Sequence, residues 1–174
     1  YSHKLFKMAE IVQEWRVVYT NPRAEQKVAE ELRKRAITVY FPQVKKLRIW
    51  SDRKKWVDMP LFNSYLFVCI SPADHDTVLS VQGVVKYIRY NGRPAVIREE
   101  VIEQIKRLLA SEIDLEVNSE AFSTGARVRV TAGPMIGLIG ELVELKSAHR
   151  FVIKLGELGQ SIMVNMPPAY IEKW

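Results

Sequence analysis

Residues 53–70 read RKKWVDMPLFNSYLFVCI, a basic stretch that runs straight into an apolar one. Side chains alternate between the two faces of a strand, so a half-buried strand carries polar residues at one parity. Here Leu61, Tyr65 and Phe67 share one parity and Phe62, Leu66, Val68 and Ile70 the other, so both faces require cover. Where the helices of the chain cover one face less completely, the surplus of rings there is a candidate docking surface.

Upstream, WRVVYT at 15–20 is rich in β-branched and aromatic residues and predicts a strand. Asn21-Pro22 then supplies a helix start, with Asn21 as N-cap and Pro22 at the first helical position. That helix is predicted to reach about Arg35, with Ala24, Val28, Ala29, Leu32 and Ala36 as its buried stripe. Residues 37–41 predict the next strand, and Pro42 limits how centrally its far end can lie in a sheet. Residues 43–58 carry Lys45, Lys46, Arg48, Arg53, Lys54 and Lys55 against Asp52 and Asp58, with Trp50 and Trp56 among them. Their alternation predicts a β-hairpin or an extended loop. Interleaved cations and indoles can grip phosphate and stack on bases; the alternative is that both indoles pack on the sheet.

Downstream, Ser71-Pro72-Ala73-Asp74 fits a capping box with Pro at the first helical position, opening a short helix that stops before Gly83. Residues 84–90 predict a strand, Asn91-Gly92 a turn, and 93–97 a short returning strand. Glu99 and Glu100 open a helix whose Val101, Ile102, Ile105, Leu108 and Leu109 follow the helical period. The order predicts an α+β domain over residues 14–110, an antiparallel sheet with three helices, preceded by a flexible arm at 1–13. Residues 111–123, SEIDLEVNSEAFS, carry four acids and no base, and predict a linker. From residue 124 to 174, short strands at 127–131, 139–145, 151–155 and 160–166, with another near Tyr170, predict a small all-β barrel.

A chain of 174 residues that is 48% hydrophobic can bury one moderate core or two small ones. No apolar run nears the roughly 20 residues of a membrane span, so a cytoplasmic protein with no membrane partner is expected. The single cysteine, Cys69, lies in the apolar strand and is expected to be a small buried side chain. The net charge of +6 is unevenly spread: residues 1–110 hold 20 Lys and Arg against 12 Asp and Glu, and residues 124–174 hold 6 against 4. A basic surface, with nucleic acid as its usual partner, therefore belongs to the first domain. His3, His75 and His149 are scattered, and no metal-ligand spacing or phosphate loop occurs, so neither an enzyme nor a cofactor is expected.

RVRVTAGPMIGLIGELV at 127–143 resembles a KOW motif through Val130, Gly133, Pro134, Met135, Gly137 and Gly140. WRVVYT followed by Pro22-Arg23, and later Pro60-Leu61-Phe62 and Tyr65-Leu66-Phe67-Val68, resembles the N-terminal NGN domain of the NusG family of transcription elongation factors. The two segments cover nearly all of residues 14–174 in the family's order. LRIWSDRKKW at 47–56 most resembles the UpxY group of specialised paralogues, antiterminators of capsular polysaccharide operons in Bacteroides-type bacteria.

The resemblance implies a factor that binds RNA polymerase at the β′ clamp helices through an apolar groove, bridges to the β lobe and promotes processive elongation. It carries the groove onto Tyr19, Phe62 and Tyr65, with Phe41, Val84 and Ile97 as further candidates, each of which is otherwise a core residue. It carries a β-subunit contact onto His75, Asp76 and Thr77, where a specialised paralogue has His-Thr-Thr. Non-template DNA near the transcription bubble would meet Arg23, Lys27, Arg48, Arg53, Lys54 and Lys55. The KOW part implies an SH3-like barrel that recruits a ribosomal protein, the termination factor Rho or a dedicated regulator, and a monomer is expected. Its β-branched pairs, glycines and Pro167-Pro168 predict that it stays a barrel and does not refold into helices. The rival is a ribosome-associated KOW-type RNA-binding protein whose basic hairpin grips structured RNA and whose rings are core.

Overall fold

The two-sided apolar strand lies inside a sheet, with neighbours along both edges. In a computed structural model that describes residues 12–110, 115–118, 125–133, 136–145, 148–155, 160–164 and 168–174, β5 (Tyr65–Ile70) pairs with β1 (Glu14–Thr20) and β2 (Thr38–Tyr40). With β6 (Val84–Tyr87) the order is β2-β5-β1-β6, all recorded pairs antiparallel. Register sets the faces: Val17 and Tyr40 stand opposite Phe67, and Tyr19 opposite Tyr65 and Lys86.

Each face has its own helical layer. Val18, Leu66, Val68 and Ile70 pack with Val28, Ala29 and Leu32 of α1 (Glu25–Lys34) and Val78 of α2 (His75–Leu79). On the other face, Trp15, Val17 and Phe67 pack with Leu61, Phe62 and Ile97 and with Ile102, Ile105 and Leu108 of α3 (Glu99–Ala110). The Trp15 indole N–H donates to Glu99 Oε2 at 2.5 Å, fixing the start of α3 to β1. Three helices over a four-stranded sheet thus bury both parities of β5, as its sequence demands.

Several local expectations shift. The first helix starts three residues later than Pro22: Arg23 has φ 64, and the Ala24 N–H bonds the Asn21 carbonyl, so Asn21 to Ala24 form a turn. Ala36 is exposed at φ 60 and ends the helix instead of completing its stripe. Glu25 takes an unexpected buried place, where its Oε1 accepts the Ser64 N–H at 2.8 Å; Ser64 itself is left-handed at φ 64. The capping box at Ser71 is present, over a short 3-10 turn (Pro72–Asp74) that leads into α2. Cys69 is half-buried; desolvation and the charge of Glu99 push its thiol pKa up, which disfavours the thiolate.

Residues 43–60 form a separate two-stranded ribbon, β3 (Gln43–Ile49) and β4 (Lys54–Pro60), and β7 (Arg89–Tyr90) and β8 (Arg93–Pro94) form the small hairpin around Asn91-Gly92. The stretch read as a linker contains β9 (Leu115–Asn118), which pairs with β13 (Gln160–Val164). With β10 (Ala126–Val130), β11 (Ile139–Leu145), β12 (Ala148–Leu155) and β14 (Ile171–Lys173) these strands make a six-stranded sheet in the order β14-β10-β11-β12-β13-β9. Among the described residues this sheet is open, with no pairing between β14 and β9, so the expected closed barrel is not what the strand pairs record. Its Val128, Val130, Leu138, Ile162 and Val164 join the cluster under α3, and Arg107 donates to the Ile136 carbonyl at 2.7 Å. The expected flexible arm lies, up to residue 11, outside the described residues.

Candidate functional site

The parity of β5 and the β2-β5-β1-β6 order bring five rings into one row on the α3 side of the sheet. Tyr19 meets Tyr65 edge-on at 5.9 Å, Tyr65 meets Phe62 at 6.5 Å, Phe62 meets Phe67 at 6.1 Å, and Phe67 meets Tyr40 at 6.0 Å. Such ring pairs contribute about 0.5–1.5 kcal/mol each beyond the area they bury. A cation sits at each end: Lys86 Nζ lies 5.9 Å from the Tyr19 ring centre and Lys106 Nζ 5.4 Å from that of Tyr40. The middle of the row is closed, with Phe62 at 2% exposure and Phe67 at 0%, whereas Tyr19, Tyr65 and Tyr40 are half-buried. Burial, with the charge of Glu103, pushes the Tyr40 phenol up to about 12, so it stays neutral and can donate a hydrogen bond. Half-open rings with lysines at both ends suit the apolar stripe and acidic margin of an amphipathic helix.

Of the expected groove residues, the structure brings Tyr19, Phe62 and Tyr65 into this row, and Ile97 into the cluster beneath it. Phe62 and Ile97 are buried, so in this arrangement they support the row without facing solvent. Phe41 and Val84 pack on the opposite cluster, under α1 and α2, and do not join the row. Tyr40, Phe67, Lys86 and Lys106 were missed. Tyr40 and Phe67 are strand residues of ordinary appearance until the pairing of β2 with β5 sets them side by side.

The ribbon supplies the second part of the site. Leu47 stands opposite Trp56, Arg48 opposite Lys55, and Ile49 opposite Lys54. Alternation puts Lys45, Leu47, Ile49, Lys54, Trp56 and Asp58 on one face, and Val44, Lys46, Arg48, Lys55, Val57 and Met59 on the other. Ile49 is 68% and Trp56 64% exposed, so the alternative in which Trp56 packs on the sheet gives way to an open indole. At the tip the Trp50 N–H bonds the Arg53 carbonyl at 2.7 Å, and the Arg53 guanidinium lies 5.1 Å from the Trp50 ring centre. Among the described residues, Lys45, Lys46, Arg48, Arg53, Lys54 and Lys55 make no ion pair. Arg23 and Lys27 are exposed on the turn before α1 and on α1 itself.

His75 opens α2 with its ring stacked on Tyr87 at 4.6 Å, and the Tyr87 hydroxyl donates to the His75 carbonyl at 2.9 Å. Burial pushes the Tyr87 phenol up to about 12, with Asp76 and Asp74 adding to the rise and Arg16 opposing it. His75 also lines a hollow of about 180 Å³ with Glu14, Arg16, Ile70, Ser71 and Pro72, while Asp76 is exposed and Thr77 half-buried. In the glycine-rich turn after β10, Gly133 has φ 82 and Gly137 φ 91, both left-handed as a tight loop demands. A Cβ on Gly133 would lie 3.2 Å from the Tyr170 ring. Gly140 is paired in β11 opposite Val128, Val130 is buried, and Pro134 and Met135 lie outside the described residues. Among the described residues no group of three or more His, Cys, Asp or Glu could hold a metal, and no helix is long and apolar enough to cross a membrane.

A family model described as "Transcription termination factor nusG" matches residues 13–106, more than half of the chain. The "Transcription termination/antitermination protein NusG" of Rickettsia typhi is 23% identical over 167 residues, which span 89% of this chain and 87% of the relative. The protein of the same description from Rickettsia conorii matches to the same extent, at 23% over 167 residues. Among solved structures, one described as "Domain interaction in Thermotoga maritima NusG" is similar at a TM-score of 0.52 and 21% identity, over 92% of this chain and 97% of that one, a likeness of fold.

Proposed function

The chain belongs to the NusG family, and from that premise we propose that it is a transcription elongation regulator that binds RNA polymerase at the β′ clamp helices and promotes processive elongation and antitermination. The observation that carries this reading is the row of rings Tyr19, Tyr65, Phe62, Phe67 and Tyr40 with a lysine at each end. In it Tyr19, Tyr65 and Tyr40 touch the clamp helices, and Phe62, Phe67 and Ile97 hold them in place. His75, Asp76 and Thr77 face the β lobe. Arg23, Lys27, Arg48, Arg53, Lys54 and Lys55 neutralise phosphates of the non-template strand, which positions the factor without reading sequence.

The basic ribbon with its indoles supports a specialised factor of the UpxY kind, acting on capsular polysaccharide operons. Residues 14–110 form the polymerase-binding domain and 124–174 a KOW domain that recruits a further partner, with the acidic stretch 111–123 between them. The protein acts as a cytoplasmic monomer.

The test is capture of core RNA polymerase by full-length protein in which Tyr19 and Tyr65 are both replaced by Ala. These rings are half-buried, so the variant is expected to fold, and its circular dichroism and melting curve check that. Capture should fall at least about tenfold, the loss of one or two well-placed anchor residues. Unchanged capture by a folded variant contradicts the reading, and equal binding of wild type and variant to ribosomes in its place favours the ribosome-associated alternative. Transcript profiles of cells with and without the protein should show readthrough confined to one operon family; a genome-wide change contradicts the specialised role.

A further inference from the structure

Two indoles stand on the ribbon, and they are not equivalent. Trp50 is already engaged, with the Arg53 guanidinium over its ring. Among the described residues Trp56 has no ring or cation partner, and it is 64% exposed on the face it shares with Leu47, Ile49 and Lys54. An exposed apolar face this close to unpaired cations is costly to leave bare and unsuited to a protein core partner, since Lys45, Lys54 and Asp58 interrupt it. It does fit a ligand that is itself a flat apolar ring attached to an anion. Lys54 stands two residues from Trp56 on the same face, about 7 Å along the strand, within reach of the phosphate next to a base stacked on the indole.

We infer that Trp56 is the stacking platform for one unpaired base of a single DNA strand, with Leu47 and Ile49 against the adjoining sugar and Lys54 on its phosphate. This rests on the ribbon's proposed contact with DNA and names the residue and the form of DNA it takes. A base inside a duplex presents only its edges, so an open indole face gains nothing from double-stranded DNA. Trp56 is flanked on this face by Leu47, Ile49 and Lys54, with Lys45 and Asp58 beyond it, and the choice of deoxyribose rests on the ribbon's proposed contact with DNA. Asp58, opposite Lys45, lowers the positive charge at the far end of the face and leaves Lys54 as the cation next to the indole.

Fluorescence anisotropy of a short labelled oligothymidylate, titrated with full-length protein, tests this. Trp56→Ala should weaken binding about tenfold or more, the typical loss of one base stack, and leave the salt dependence unchanged. Trp56→Phe, which keeps a ring, should bind within about threefold of wild type. Lys54→Ala should reduce the slope of log affinity against log salt by about 0.7. The duplex with oligodeoxyadenylate, and oligouridylate, should each bind more weakly than the single DNA strand. The inference is overturned if Trp56→Ala binds like wild type, if Trp56→Phe is as weak as Trp56→Ala, or if duplex or RNA binds as tightly as single-stranded DNA. Polymerase capture by the same Trp56→Ala protein separates the two claims: capture intact with an unaltered oligonucleotide affinity sinks only the stacking platform, and capture lost from the Tyr19 and Tyr65 variant bears only on the clamp.

Discussion

The ribbon at 43–60 and strand β5 at 65–70 are close neighbours in the chain and carry similar aliphatic and aromatic side chains, yet one is mostly exposed, with only Val44, Val57, Met59 and Pro60 half-buried, and the other is the buried middle of a sheet. The difference lies in what surrounds them. β5 has a strand on each edge and a helical layer on each face, whereas β3 and β4 pair only with one another among the described residues. Rings that are covered set a rigid row, and rings that are not covered remain available to a flat ligand. Hydropathy alone assigns neither role; the number of covering layers does.

The strongest way to break this contrast is to remove one ring from each region. Phe67→Ala should cost about 3–5 kcal/mol in urea unfolding, the usual price of emptying a buried phenylalanine site. Trp56→Ala should cost less than about 0.5 kcal/mol, as exposed substitutions do. Comparable losses would mean that the ribbon is part of the core. Gly83→Ala probes the layer over β5: Gly83 has φ +100, and an added Cβ would lie 2.8 Å from Val28 Cγ2. It should destabilise by more than about 1 kcal/mol, since Ala suits neither that backbone nor that space; a neutral effect would show that α1 is free to shift.

The phenols sharpen the contrast from within the domain. Tyr40 and Tyr87 are raised from 10.0 to about 12, so between those values the unfolded chain ionises while the folded one does not. Their stabilising contribution is complete below pH 10 and falls as pH rises toward 12, with Tyr40→Phe making the decline shallower. Denaturation midpoints across that range check the direction, and a rise in stability would contradict it. The smallest effect on stability is expected for Lys54→Ala with Lys55→Ala, within about 0.5 kcal/mol of wild type. The same pair should lower the salt slope of single-strand binding by about 1.4.

The contrast itself was half legible in the sequence. The apolar residues at both parities of 61–70 marked a strand with two covered faces, and the alternation of 43–58 marked a hairpin, because both signals are local. The resemblance points to Tyr19, Phe62 and Tyr65, and the structure joins those three in one row. Tyr40 and Phe67 could not be added, since only the β2-β5 register makes them neighbours. Phe41 and Val84 fall in the cluster under α1 and α2, since which face a residue near a strand end takes depends on the exact pairing. Arg23, left-handed without being glycine, hid the start of α1, and Ala36, left-handed too, lies just past its end and outside its stripe. β9 was hidden too, being four residues with one acid in a run whose charge suggested a linker; its strand character comes from pairing with β13.

The division of labour between the row of rings and the ribbon is tested most directly by titrating core RNA polymerase and single-stranded DNA against two full-length variants. One carries Tyr19→Ala and Tyr65→Ala, the other Trp56→Ala and Lys54→Ala. The expected result is a loss of polymerase affinity of at least about tenfold in the first with DNA binding retained, and the reverse in the second. Polymerase affinity unchanged in the folded first variant, or lost equally in both, would contradict it.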